Sequence, residues 1–137
     1  ESMIGKIIVQ LSRIPKSTPL RIFNKTNSSV IYFRKFSQLI RESRSYKKSI
    51  EQYASDLNIT SGHLNRICSL VAKQQPKEVI IDYFINESKV LLSDTEKSIN
   101  EIGYSIGFED ASYFSRLFKK KTGFTPNEFR KTTDIKS

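Results

Sequence analysis

The feature that most restricts the fold is an internal repeat. SIEQYASDLNI at residues 49–59 aligns with SINEIGYSIGF at residues 98–108, an offset of 49. Past that point the offset becomes 50, where Leu64-Asn65-Arg66 faces Phe114-Ser115-Arg116 and Pro76-Lys77-Glu78 faces Pro126-Asn127-Glu128. A one-residue change in a turn accounts for the switch. A chain that writes one pattern twice has to bury the same kind of apolar face twice, so two similar units are expected.

The second copy is the clearer one. Ser98 with Glu101 three residues on has the form of a capping box and starts a short helix, whose Ile99, Ile102 and Ile106 share one face. Gly107 supplies the positive φ that a sharp helix-to-helix turn requires. Asp110 caps a second helix with Phe114, Leu117 and Phe118 inward and Ser112, Ser115, Arg116 and Lys119 outward. Thr122-Gly123 reads as its stop. Thr125, Pro126 and Glu128 start a further helix. In the first copy, Ser49 and Gln52 repeat the capping box, and Asn58 stands at the turn in place of Gly107. Thr60 or Ser61 caps the next helix, with Leu64, Ile67, Cys68 and Val71 inward and Gly62, Asn65, Arg66 and Ser69 outward. Residues 77–92 carry a helical rhythm through Val79, Ile80, Tyr83, Phe84, Leu91 and Leu92, a rod of about 24 Å at 1.5 Å per residue.

The run IGYSIGFEDASYFSRLFKKKTGFTPNEFR, residues 102–130, resembles the C-terminal signature of the AraC family of bacterial transcription regulators in its GF, SYFSR, FKK, TG and TP elements. The resemblance extends back through residues 47–92. It implies an all-α fold of two helix-turn-helix subdomains, homeodomain-like three-helix units joined by a long linker helix. The DNA-binding domain would occupy residues 44–131, with the first helix-turn-helix at about 49–73, the linker helix at about 77–92 and the second at about 98–122. Residues 1–43 would be a remnant of an upstream regulatory or dimerising region with a linker helix, and residues 132–137 a tail. Two departures stand out: Lys73 where a Gly commonly ends the first recognition helix, and Phe84 where the linker often has Arg.

By position in the family motif, Gly62, Asn65 and Arg66 in the first unit and Ala111, Ser112, Ser115 and Arg116 in the second match base-reading sites. The chemistry suits the role. Arg donates two bonds to guanine, Asn pairs with adenine, an Ala methyl meets thymine and Ser bonds bases or phosphates. The alternative for Arg116 is an internal bond to Glu109 or Asp110 that braces the turn. Lys119, Lys120 and Lys121 are candidates for phosphates, as are the helix N-termini at Ser49, Ser98 and Thr125.

Twenty-three basic against fourteen acidic residues give a net charge of +9, which favours a polyanionic partner. One Cys and one His exclude an intrachain disulfide and a four-ligand zinc site, so neither metal nor cofactor is expected. His63 lies beside the inner stripe with no catalytic neighbours in any recognisable spacing, and Cys68 reads as core, so no enzyme is expected. Tyr53, Tyr83, Phe108 and Phe124 also read as core. No long apolar run or leader pattern is present, so the expected location is the cytoplasm, at the nucleoid, with no membrane partner.

Residues 4–11 are apolar and fit helix or strand, the resemblance tipping towards a helical dimerisation segment. Residues 13–29, with Pro15, Pro19 and a polar stretch, read as a loop or partly disordered connection, and residues 30–43 as a helix. The resulting expectation is a sequence-specific binder of double-stranded DNA with two recognition helices in successive major grooves. RNA polymerase is a further expected partner, and a homodimer would form through the upstream region. An architectural DNA-bending protein with little sequence preference is the alternative, supported by the small residues on the second reader.

Overall fold

A computed structural model describes residues 20–136, with side chains from Asn27 to Asp134. The helices run α1 (Leu20–Ser43), α2 (Ile50–Asp56), α3 (Ser61–Ala72), α4 (Pro76–Asp94), α5 (Ile99–Ser105), α6 (Ala111–Thr122) and α7 (Pro126–Lys136), and no strand occurs among the described residues. Helices α2–α3 and α5–α6 are the two helix-turn-helix pairs. α1 packs on α3, α7 packs on both α4 and α6, and α4 touches both pairs.

Each start has a local cause. Ser49 and Ser98 form complete capping boxes, with Gln52 and Glu101 returning a bond to the cap's own N–H. Thr60 and Asp110 accept from His63 and Ser112 at the heads of α3 and α6. Pro76 opens α4, where a missing N–H costs nothing. Asn58 (φ 58°) and Gly107 (φ 101°) both take the left-handed turn position, as the repeat requires. α3 ends on Lys73 at φ 58°, ψ 30°, the position that Gly123 fills after α6. A lysine there carries left-handed strain of about 1–2 kcal/mol, and glycine would relieve it while losing about 0.5–1 kcal/mol to its freer unfolded chain. Lys73→Gly is therefore expected to stabilise by about 0.5–1 kcal/mol, read as a rise in the denaturation midpoint. An unchanged or lowered midpoint would contradict it.

The core is continuous across both units. Phe36 and Ile40 of α1 meet Tyr53, Leu64 and Cys68, while Ile102, Phe108, Phe114 and Phe118 fill the second unit. Ile80, Ile81, Phe84, Ile85 and Leu92 of α4 join the two sets. Phe84, in place of the family's frequent Arg, is thus buried between units. Arg130 of α7 donates to the carbonyls of Leu92 (3.1 Å) and Thr95 (3.3 Å), closing the far end of the linker helix with a cation where its dipole is negative.

Three expectations need correction. The loop expected over residues 13–29 is helical from Leu20 onward, because the well-packed second half of α1 propagates backward through Asn24–Ser29 despite their weak propensities. Residues 1–19, including the helix-or-strand reading of 4–11, lie outside the described residues. The tail expected at 132–137 is helical to Lys136, since α7 continues past Arg130 with Thr132 and Thr133 bonding back to Phe129 and Arg130. Phe124, read as core, is 48% exposed: Thr122 holds its backbone through both N–H and C=O just past the left-handed Gly123, and the ring points outward.

Candidate nucleic-acid interface

The outer face of α3 carries Gly62, Asn65, Arg66 and Ser69, all exposed, above a buried stripe of Leu64, Ile67 and Cys68. α6 presents Ser112 and Arg116 exposed and Ala111 and Ser115 half-buried, above Phe114 and Phe118. The residues picked from the sequence for base reading therefore fall on the free faces of the two second helices. Among the described residues neither Arg66 nor Arg116 has an ion-pair partner. The internal alternative for Arg116 is not realised. Glu109 pairs instead with Lys47 at 3.2 Å, and Asp110 spends its oxygen on the N–H of Ser112.

The three helix starts keep fewer donors than the sequence suggested. At Ser49, Ser98 and Thr125 the cap N–H and the N–H three residues on are both taken by the box. The Ser98 and Thr125 backbone bonds hold the carboxyls of Glu101 and Glu128 below their usual range. Those two helix heads thus carry an ionised carboxylate, which opposes an incoming phosphate. At Ser49 the box residue is the neutral Gln52.

Lys119 and Lys120 are exposed, but Lys121 is turned inward onto α4, 2.6 Å from Glu78 and 3.0 Å from Asp82. These carboxylates, Glu78 first, raise its pKa. It is withdrawn from the phosphate candidates. The local look of a lysine run cannot reveal which member meets a carboxylate 43 residues away.

A cleft of about 890 Å³ opens between the units beside Arg116. Lys47, Lys48 and Lys77 line it with Arg116, and Tyr46, Phe108 and Tyr113 are among its wall residues. Lys77, which in the sequence reads as one more exposed charge on a linker, faces this cleft. Tyr46 ties the cleft together. Its N–H donates to Ile106 O at 2.8 Å, and its ring stacks on Phe108 at 4.3 Å and meets Phe84 edge-on at 6.4 Å. Burial, then a hydrogen bond with Tyr113, pushes its hydroxyl up to about 12. The loop before α2 is thereby strapped onto the turn of the second unit.

His63 packs its ring 5.8 Å from Tyr32, and burial pushes the Cys68 thiol up to about 12, leaving it protonated and inert. No group of three or more His, Cys, Asp or Glu able to hold a metal occurs among the described residues. No described helix is long and apolar enough to cross a membrane.

The sequence model of a helix-turn-helix domain family matches residues 53–132, from within α2 through the linker helix and the second pair into α7. The Arabinose operon regulatory protein of Escherichia coli is 51% identical over 49 residues, 36% of this chain and 17% of that protein. The chain belongs to the AraC family. The Msm operon regulatory protein of Streptococcus mutans is 29% identical over 130 residues, covering 94% of this chain and 47% of its own length. The matched part is less than half of either relative. A likeness of fold extends to a solved regulator with an AraC-type DNA-binding domain from Chromobacterium violaceum, at a TM-score of 0.71, 23% identity, and coverage of 78% of this chain and 96% of that one. Both pairs and α4 accordingly share the fold of an AraC-type DNA-binding domain.

Proposed function

We propose that this chain is the operator-reading part of a bacterial transcription regulator acting in the cytoplasm, at the nucleoid. α3 and α6 enter successive major grooves on one face of the duplex, about 34 Å apart. Asn65, Arg66, Ser112, Ser115 and Arg116 reach base edges, with Ala111 offering a methyl and Gly62 admitting the backbone closely. Lys119, Lys120 and Lys77 meet phosphates, as do the remaining free N–H groups near Ser49, whereas the carboxylates of Glu101 and Glu128 turn phosphates away from the heads at Ser98 and Thr125. The observation that carries this reading is the pairing of two unpartnered arginine-bearing helix faces on one continuous core. The matched relatives are named as operon regulators, which favours defined sites over the architectural alternative. RNA polymerase and a second copy, joined through the region before residue 44, are the further partners of this reading.

Selection from a random duplex library at near-physiological salt tests the reading. Two short boxes about one helical turn apart are expected. Salt-sensitive binding with no recovered motif would overturn sequence specificity. Arg66→Ala is expected to cost about 1–3 kcal/mol on the selected site and to relax preference at one position. Equal weakening on all sequences would make Arg66 a phosphate contact instead.

A further inference from the structure

The ends of the two readers are joined by side chains that share one carboxylate. Lys121, one residue before the end of α6, places Nζ 3.0 Å from Asp82 Oδ1 and 2.6 Å from Glu78 Oε1. Gln74, directly after the left-handed Lys73 that ends α3, donates Nε2–H to Asp82 Oδ2 at 2.8 Å. Glu78 and Asp82 stand four residues apart on one face of α4, so a single ammonium spans both. Lys121 keeps only 24% of its side chain exposed, while Lys119 and Lys120 beside it are exposed. The connection therefore runs from the last turn of one reader, through one aspartate on the linker, to the residue that follows the other reader.

We propose that Asp82, with Glu78, Gln74 and Lys121, is a positioning site that trims the separation of the two readers within the range the shared core permits, and so the spacing between DNA boxes that the protein accepts. It rests on the operator-reading function above. The four side chains touch no DNA. They hold three oriented, charge-assisted bonds whose geometry changes if either reader shifts along α4. Partly exposed ion pairs of this kind add little to stability, so their effect is geometric and the readout has to be geometric too.

The test uses the full chain in two forms. Spin labels at Ser69→Cys and Lys120→Cys, both exposed positions, report the distance between readers, and the buried, protonated Cys68 stays unlabelled. Asp82→Ala is expected to broaden the wild-type distance distribution, and Lys121→Met to broaden it likewise, while Lys121→Arg retains it. On duplexes with the selected boxes moved apart or together by one base pair, wild type is expected to lose about tenfold in affinity, because each step turns the second box by roughly a tenth of a helical turn. The Asp82→Ala and Lys121→Met chains are expected to lose less than about threefold across the same series while keeping their base preferences. Unaltered distances and an unaltered spacing profile would overturn the proposal. A fall of about one in the salt slope for Lys121→Met would also overturn it by making Lys121 a phosphate contact. Broadened distances in a chain that selects no paired boxes would overturn the spacing role together with the operator reading.

Discussion

Gly107→Ala is expected to destabilise the protein by about 3 kcal/mol, through backbone strain of roughly 1–3 kcal/mol and the damage that a new methyl does to its surroundings. Gly107 sits at φ 101°, where side chains are rarely tolerated. A Cβ there would lie 2.5 Å from Ser45 Oγ and 2.8 Å from the backbone N of Tyr46. The serine hydroxyl can rotate away, but the backbone nitrogen cannot move without loosening its 2.8 Å bond to Ile106 O and the Tyr46–Phe108 stack. Gly123→Ala is the matched control. It has φ 88° but nothing within 4 Å of the added Cβ, so backbone strain of about 1 kcal/mol is all it should cost. Denaturant midpoints of the two variants measure the difference. Equal losses would mean that the strap does not press on the turn.

Insertion of five base pairs between the selected boxes is expected to lower affinity by about a hundredfold or more, the contribution that a second linked reader makes to binding. Five pairs turn the second box to the far side of the duplex, about half of a 10–10.5 pair turn. Insertion of ten pairs restores the facing but adds about 34 Å, and a rigid pair of readers cannot follow. Both duplexes should therefore bind as single boxes do. Recovery of affinity with ten pairs would show that the units are tethered loosely, which a core continuous through Ile80, Phe84 and Leu92 does not allow.

Much of the fold was legible because its determinants lie within a few residues of one another. Ser49 with Gln52, Ser98 with Glu101, and Thr125 with Glu128 announce helix starts through bonds three residues long. The inward stripes of α3 and α6 follow from helical spacing alone, and so do the exposed candidates opposite them. What escaped notice depends on contacts between distant parts of the chain. Tyr46 reads as an ordinary loop tyrosine until it meets Phe108, and Lys121 reads as one of three equivalent lysines until it meets Glu78 and Asp82. The helical start at Leu20 was hidden for a related reason. Asn24–Ser29 are poor helix formers judged locally, and cooperativity with the packed half of α1 overrides them. Phe124 misled in the opposite sense: an aromatic residue is usually buried, but a left-handed cap just ahead of it decided where its ring points.

The strap formed by Tyr46 also bears on how the chain comes off the ribosome. Domains generally acquire structure from the N-terminal side during synthesis. The loop that holds Tyr46 is made well before the turn at Gly107 that it covers. The second unit thus emerges after the residues that cover its turn, so Ile106 and Phe108 can meet Tyr46 as soon as they are released. A swapped order, with the second unit made first, would leave Phe108 and Phe84 without that cover for as long as the first took to appear.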